Sequence, residues 1–307
     1  MKKLLKKKSK IFFILLVIVS LHAEVSITKD IFEQSFKKAL SGDSDAQYNV
    51  ALSYFHGGAV EKDLQQAFYW YKKAALQGSA QAQNNLGYMY EHGLGVDPNS
   101  TMAIRYYKMS AEQNYSLAQL NLALLYESRQ NENSLKEALV WYKKAAKNGS
   151  LIAQNNLAKF YYFGTYVKKS YEKAIYWYKK AVSKNDPLAQ FNLAMIYYSG
   201  EGIEKNYDKA LELLTSSARS ENIFALSKLG EFYRGGIIVD QSYEKAMYYY
   251  QKAAKQGDLL SIYYIGYFHY YGLGVDQNKK VGLDFMFKAS DKGYSHATSF
   301  LKRHNYK

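Results

Sequence analysis

Apolar residues recur along this chain three and four positions apart, within a longer period of 36 or 35 residues. The pair Ala-Gln marks the longer period, at Ala46-Gln47, Ala82-Gln83, Ala118-Gln119, Ala153-Gln154 and Ala189-Gln190. It continues in degraded form at Ala225-Leu226, Ser261-Ile262 and Ala297-Thr298. Four residues after the alanine stands Val50, Leu86, Leu122, Leu157, Leu193, Leu229, Ile265 or Leu301. The following position is small, from Ala51 and Gly87 through to Gly266. A tyrosine comes next in the pattern, at Tyr54, Tyr90, Tyr126, Tyr161, Tyr197 and Tyr233, with His269 in the seventh repeat. At about 100° per residue these positions share one side of a helix, here called helix A. The small residue leaves room for a second helix to approach.

Glycine ends helix A at Gly57, Gly93, Gly164, Gly200, Gly236 and Gly272, since it tolerates the left-handed backbone of a helix C-terminus. The third repeat has Arg129 there and is one residue shorter, so a remodelled loop is expected. Helix B begins at a column of capping residues: Asp63, Asn99, Ser134, Ser170, Asn206, Ser242 and Asn278. Their side-chain oxygens can accept from the free amides of the first turn, and Ser134 with Glu137 fits a capping box. An alanine follows (Ala67, Ala103, Ala138, Ala174, Ala210, Ala246), then large aromatics such as Trp70-Tyr71 and Trp141-Tyr142, then small pairs such as Ala74-Ala75. The fifth repeat substitutes Leu213-Leu214 for the aromatics. The predicted fold class is therefore all-α. Seven helix pairs occupy residues 42–292, with an N-terminal capping helix in 24–41 and a C-terminal capping helix in 293–307. In the last of these Lys302 replaces the small packing residue, which suits a solvated end of a stack.

The N-terminus departs from this pattern. Lys2, Lys3, Lys6, Lys7, Lys8 and Lys10 precede the apolar run Ile11 to Leu21, and Ala23 follows it. Residues 1–23 thus read as a signal peptide, with an apolar run too short to span a bilayer, which takes about 20 residues. A periplasmic or secreted protein without stable membrane insertion after cleavage is expected. Those six lysines account for part of the formal charge of +14, leaving about +8 for the remainder. No cysteine is present, so no disulfide framework supports the fold. The 32 tyrosines and 15 phenylalanines argue for a packed core.

These columns resemble the Sel-1-like repeat family, a relative of the tetratricopeptide repeat. Ala82, Leu86, Gly87, Tyr90, Gly93, Gly95 and Val96 carry the first half of its pattern, and Ala67, Trp70, Tyr71, Ala74 and Ala75 the second. The resemblance covers residues 42–307. It implies a right-handed superhelical solenoid of antiparallel helix pairs, with A helices lining a concave surface. It implies an adaptor or scaffold rather than an enzyme. Some exported family members carry a cysteine pair in each repeat and have been described as penicillin-binding proteins or β-lactamases. A cell-wall or β-lactam-binding protein, or a β-lactamase-like hydrolase, is therefore the alternative reading, weakened by the absence of cysteine.

The functional surface is sought where the columns vary. Two and six residues after the alanine lie Tyr48/Leu52, Asn84/Tyr88, Leu120/Leu124, Asn155/Lys159, Phe191/Met195, Ser227/Glu231 and Tyr263/Tyr267. These lie opposite the core side of helix A, and several are apolar or aromatic. That composition suits either a protein or peptide partner or packing between neighbouring A helices. Beside them runs an asparagine column, Asn49, Asn85, Asn121, Asn156 and Asn192, able to bind a peptide backbone or to bridge helices. Tyr48, Leu52, Asn84, Tyr88, Leu120, Leu124, Phe191, Met195, Tyr263, Tyr267, Asn85, Asn121 and Asn156 are the candidate partner-binding residues.

Other motifs are absorbed by structure. Ser170/Lys173 and Ser242/Lys245 match the Ser-x-x-Lys nucleophile pattern, but both serines sit in the capping column and the partner motifs are absent. The scattered histidines supply no metal-ligand spacing. Gly93-Leu94-Gly95 follows a helix rather than a strand, so it is no phosphate cradle. Lysine pairs such as Lys72-Lys73 and Lys143-Lys144 complement B-helix dipoles. No catalytic residue, cofactor, metal or nucleic-acid partner is expected, and the chain is expected to be monomeric.

Overall fold

The computed structural model describes residues 29–306. The expected signal peptide, 1–23, lies outside the described residues, as do residues 24–28 of the expected N-terminal cap. The described residues form sixteen α-helices, arranged as an all-α solenoid of antiparallel pairs. The chain divides into two compact units, with the division after Leu122.

The first unit contains α1 (Lys29–Leu40), α2 (Ser44–His56), α3 (Leu64–Leu76), α4 (Ala80–His92), α5 (Ser100–Glu112) and the start of α6 (Ser116–Ser128). The second continues through α7 (Glu132–Lys147), α8 (Leu151–Phe163), α9 (Tyr171–Val182), α10 (Pro187–Ser199) and α11 (Tyr207–Arg219). It closes with α12 (Ile223–Gly235), α13 (Tyr243–Lys255), α14 (Leu259–Tyr271), α15 (Lys279–Asp291) and α16 (Ser295–Arg303). Even-numbered helices are A helices and odd-numbered ones are B helices.

Small residues set the approach within each pair. A Cβ added to Gly87 would lie 2.7 Å from the ring of Tyr107, and one on Gly230 would lie 2.6 Å from that of Tyr250. The rings they admit are fully buried: Tyr71, Tyr107, Tyr142 and Tyr250 are the largest such side chains. The fifth repeat keeps this slot apolar with Leu214, which is also fully buried.

The A-to-B loop is closed by one recurring hydrogen bond. In five repeats the backbone amide of the B-helix cap donates to the carbonyl of the tyrosine column: Asp63 to Tyr54, Asn99 to Tyr90, Ser170 to Tyr161, Asn206 to Tyr197 and Ser242 to Tyr233, at 2.8–3.0 Å. The cap side chains then accept from the first turn, as Asp63 does from the amides of Gln65 and Gln66 at 2.9 Å each.

The third repeat requires a correction. Its B-helix cap is Asn131, not Ser134: Asn131 Oδ1 accepts from the Ser134 amide at 2.9 Å, and α7 runs for 16 residues against 13 in most of its counterparts. Ser134 is buried inside the first turn. Without a glycine to end α6, the chain turns through Gln130 at φ 54° and re-enters a helix three residues early.

A second capping column was not recognised from the pattern. The A helices start at Asp43, Ser79, Ser150, Asp186, Asn222 and Asp258, whose side chains accept from the amides three positions on. It is visible in the sequence, three residues before the marker position of these six repeats, with Tyr115 in that place in the third.

Candidate partner-binding face

The two halves of the Ala-Gln marker have separate structural duties. The alanines are buried, and the glutamines tie each A helix to the B helix before it. Gln47, Gln83, Gln119 and Gln154 each donate through Nε2 to the carbonyl eight residues earlier, those of Ala39, Ala75, Ala111 and Ala146, at 3.0–3.2 Å. In the first two repeats the glutamine oxygen is satisfied as well. Gln77 Nε2 donates to Gln47 Oε1, and Gln113 Nε2 to Gln83 Oε1, both at 2.8 Å. The oxygens of Gln154 and Gln190 are buried without a partner.

The asparagine column is largely taken up in the same way. Asn121 donates to Asn84 Oδ1 at 3.0 Å, and Asn84 donates to Asn85 Oδ1 at 3.1 Å. Asn156 donates to the hydroxyl of Tyr142, fourteen residues earlier, at 3.1 Å. The tyrosine hydroxyls facing this layer also donate to carboxylates: Tyr107 to Glu91 at 2.8 Å, and Tyr142 to Glu127. Burial, reinforced by those carboxylates, raises both phenols well above the ordinary range, so both are neutral at physiological pH. Where Leu214 replaces the tyrosine, Lys228 replaces the asparagine and pairs with Glu231 at 2.7 Å.

The candidate residues separate into two groups. Asn84, Leu120 and Asn121 are buried, and Asn84 and Asn121 bond to each other. Tyr48, Leu52, Tyr88, Leu124, Phe191, Met195, Tyr263, Tyr267, Asn85 and Asn156 are half-buried and keep part of their surface in solvent. Tyr48 rests on Tyr71 with ring centroids 5.8 Å apart, and Tyr88 on His92 at 4.3 Å. Phe191 lies 5.7 Å from Phe224, which is 45% exposed. Tyr263 and Tyr267 are 6.1 Å apart, and Tyr267 meets Tyr271 at 4.6 Å. Phe224 and Tyr271 belong with this face but fall outside the two positions from which it was read.

The serines of the two Ser-x-x-Lys matches act as helix caps. Ser170 Oγ accepts from the Lys173 amide and Ser242 Oγ from the Lys245 amide, each at 3.2 Å. Among the described residues no three His, Asp or Glu side chains converge as a metal-ligand set, and no helix is long and apolar enough to cross a membrane.

Paired helices in tandem, with half-exposed aromatics on their A helices, define a solenoid scaffold of the protein–protein interaction class. The chain belongs to the Sel1 repeat family, whose model matches seven times, at residues 44–79, 80–115, 116–150, 151–186, 187–222, 223–258 and 259–294. It is similar to a Sel1 repeat protein of known structure from Oxalobacter formigenes, at 28% identity and a TM-score of 0.76, over 89% of this chain and 80% of that one. It is also similar to c5321, a protective antigen of uropathogenic Escherichia coli displaying the same repeat fold. There the identity is 29% and the TM-score 0.66, over 88% of this chain and 66% of that one. No curated protein matches the chain.

Proposed function

We propose that this chain is an exported scaffold that binds a protein or peptide through the variable side of its A helices. The observation carrying this reading is the half-exposure of large apolar side chains at positions that vary from repeat to repeat. Tyr48, Leu52 and Tyr88 in the first unit, and Leu124, Phe191, Met195, Tyr263 and Tyr267 in the second, present such surface. Aromatic side chains give a partner large contact area at low entropic cost, and such residues dominate interface energetics. The basic leader and its apolar run support export to the periplasm or beyond, and the mature chain is taken to be monomeric.

Affinity capture with the mature chain, followed by mass spectrometry, identifies the partner. The variant carrying Tyr88→Ser, Leu124→Ser and Phe191→Ser is then expected to lose it while melting as a folded helical protein. Retention of the partner by that folded variant would sink the proposal. Cell fractionation tests export independently, since the chain should leave the cytoplasm only while residues 1–23 are intact.

A further inference from the structure

One position on the A helices reverses charge. Nine residues after the marker alanine, the second and third repeats carry Glu91 and Glu127, each accepting from the buried tyrosine of its own repeat. The sixth repeat carries Arg234 at that position, beside Tyr250. The positive charge of Arg234 opposes the rise that burial imposes on the Tyr250 phenol. The guanidinium lies over the ring of Tyr264 on the next A helix, 4.4 Å from its centroid. Its Nε is buried and has no hydrogen-bond partner.

Glu231, one turn earlier on α12, is the carboxylate whose charge acts on Arg234, and it is ion-paired instead with Lys228 at 2.7 Å. No carboxylate reaches Arg234 within 4 Å among the described residues. The Arg234 side chain is partly exposed. From Tyr264 an aromatic tract continues to Tyr267 at 6.2 Å and Tyr271 at 4.6 Å, the last being 42% exposed.

We infer that α12 and α14 form a subsite for an acidic peptide segment. Arg234 takes an Asp or Glu carboxylate of the partner, and Tyr267 and Tyr271 pack a neighbouring aromatic or aliphatic residue. This rests on the reading of the A-helix face as the binding surface and adds the chemistry of what binds there. A guanidinium without an anion pairs well with a carboxylate, because its planar fork matches carboxylate geometry. Aromatic surface alongside gives the contact an apolar component beyond charge.

The test uses the purified chain and a fluorescein-labelled random copolymer of glutamate and tyrosine, followed by fluorescence anisotropy. Arg234→Glu restores the carboxylate–tyrosine pairing of the second and third repeats, so this variant is expected to fold. Arg234→Gln is a second, uncharged variant. Both should weaken binding by about tenfold, the scale of one charge-assisted hydrogen-bonded contact. Lys72→Glu with Lys73→Glu on α3 should change it by less than about twofold, as a screened surface charge does. Undiminished binding by the Arg234 variants would overturn the proposal. So would equal weakening by the α3 variant, or displacement of the copolymer by heparin as effectively as by polyglutamate. If the serine variant of α4, α6 and α10 keeps its captured partner while copolymer binding still depends on Arg234, the subsite stands and the wider scaffold reading fails. If the serine variant loses its partner but copolymer binding ignores Arg234, only the subsite is overturned.

Discussion

Ser220→Gln should stabilise this protein. In the first two repeats the residue ending helix B is a glutamine, Gln77 or Gln113. It donates to the buried oxygen of the glutamine thirty residues before it. In the fifth repeat that residue is Ser220, and Gln190 Oε1 is left buried and unpaired. Backbone geometry permits the repair. Ser220 has φ −84° and ψ 20°, beside −85° and 4° at Gln77 and −82° and 12° at Gln113. A buried acceptor without a partner costs about 1–3 kcal/mol. Ordering a glutamine side chain costs up to about 2 kcal/mol. Ser220 is exposed, so little is lost by replacing it. The net gain expected is about 1 kcal/mol. Urea unfolding followed by circular dichroism reads it as a rise in midpoint at constant slope. In a Gln190→Leu background, which copies Leu226 of the sixth repeat, the gain should shrink to what a bond to a backbone carbonyl supplies, as Gln256 makes to Glu221. A neutral Ser220→Gln, or a gain undiminished by Gln190→Leu, would refute the reasoning.

The third repeat offers a sharper discrimination between two caps. Asn131→Ala should cost about 1 kcal/mol, the usual loss for a capping side chain, and Ser134→Ala much less; thermal melts of the two variants decide, and the reverse order would contradict the cap geometry. The buried phenols predict the alkaline limit of stability. Tyr107 and Tyr142 are held well above the ordinary value by burial and by their carboxylate partners, whereas in the unfolded chain they ionise near the ordinary value of about 10. Their contribution is therefore fully present below about pH 10 and lost as pH rises from there towards the folded values. Tyr107→Phe should make the fall in melting temperature between about pH 9 and 12 shallower.

Much of this architecture is legible in the sequence because a repeat reads the same sentence many times. Ala46, Ala82 and Ala118 mark a column, and Asp63, Asn99 and Ser170 mark a turn, before any contact is known. Column reading fails where length changes. Ser134 holds the place of a cap by counting, but the shortened loop passes that duty to Asn131. The candidate face was less legible, for a different reason. Tyr88 and Leu120 are both large apolar residues of the variable columns, yet the structure half-exposes one and buries the other, which residue type alone does not reveal. The Asn121–Asn84 bond spans 37 residues and is not implied by local periodicity.

Internal comparison supplies what single columns do not. In a solenoid each repeat meets only its neighbours, so a change at one packing position must be answered by its contact. Lys228 in place of asparagine accompanies Leu214 in place of tyrosine, and Lys228 finds Glu231, so that change closes within the fold. Leu226 in place of glutamine is answered likewise. Gln256, in the position of Gln113, keeps a backbone partner, the Glu221 carbonyl at 2.8 Å, as Gln113 does with the Gly78 carbonyl at 3.0 Å. Arg234 is different. Its charge is opposite to that of Glu91 and Glu127, yet no carboxylate comes within ion-pairing distance to answer it among the described residues. Packing gives the Arg234 guanidinium the Tyr264 ring but no carboxylate, and an acidic segment of a partner at repeats six and seven would supply one.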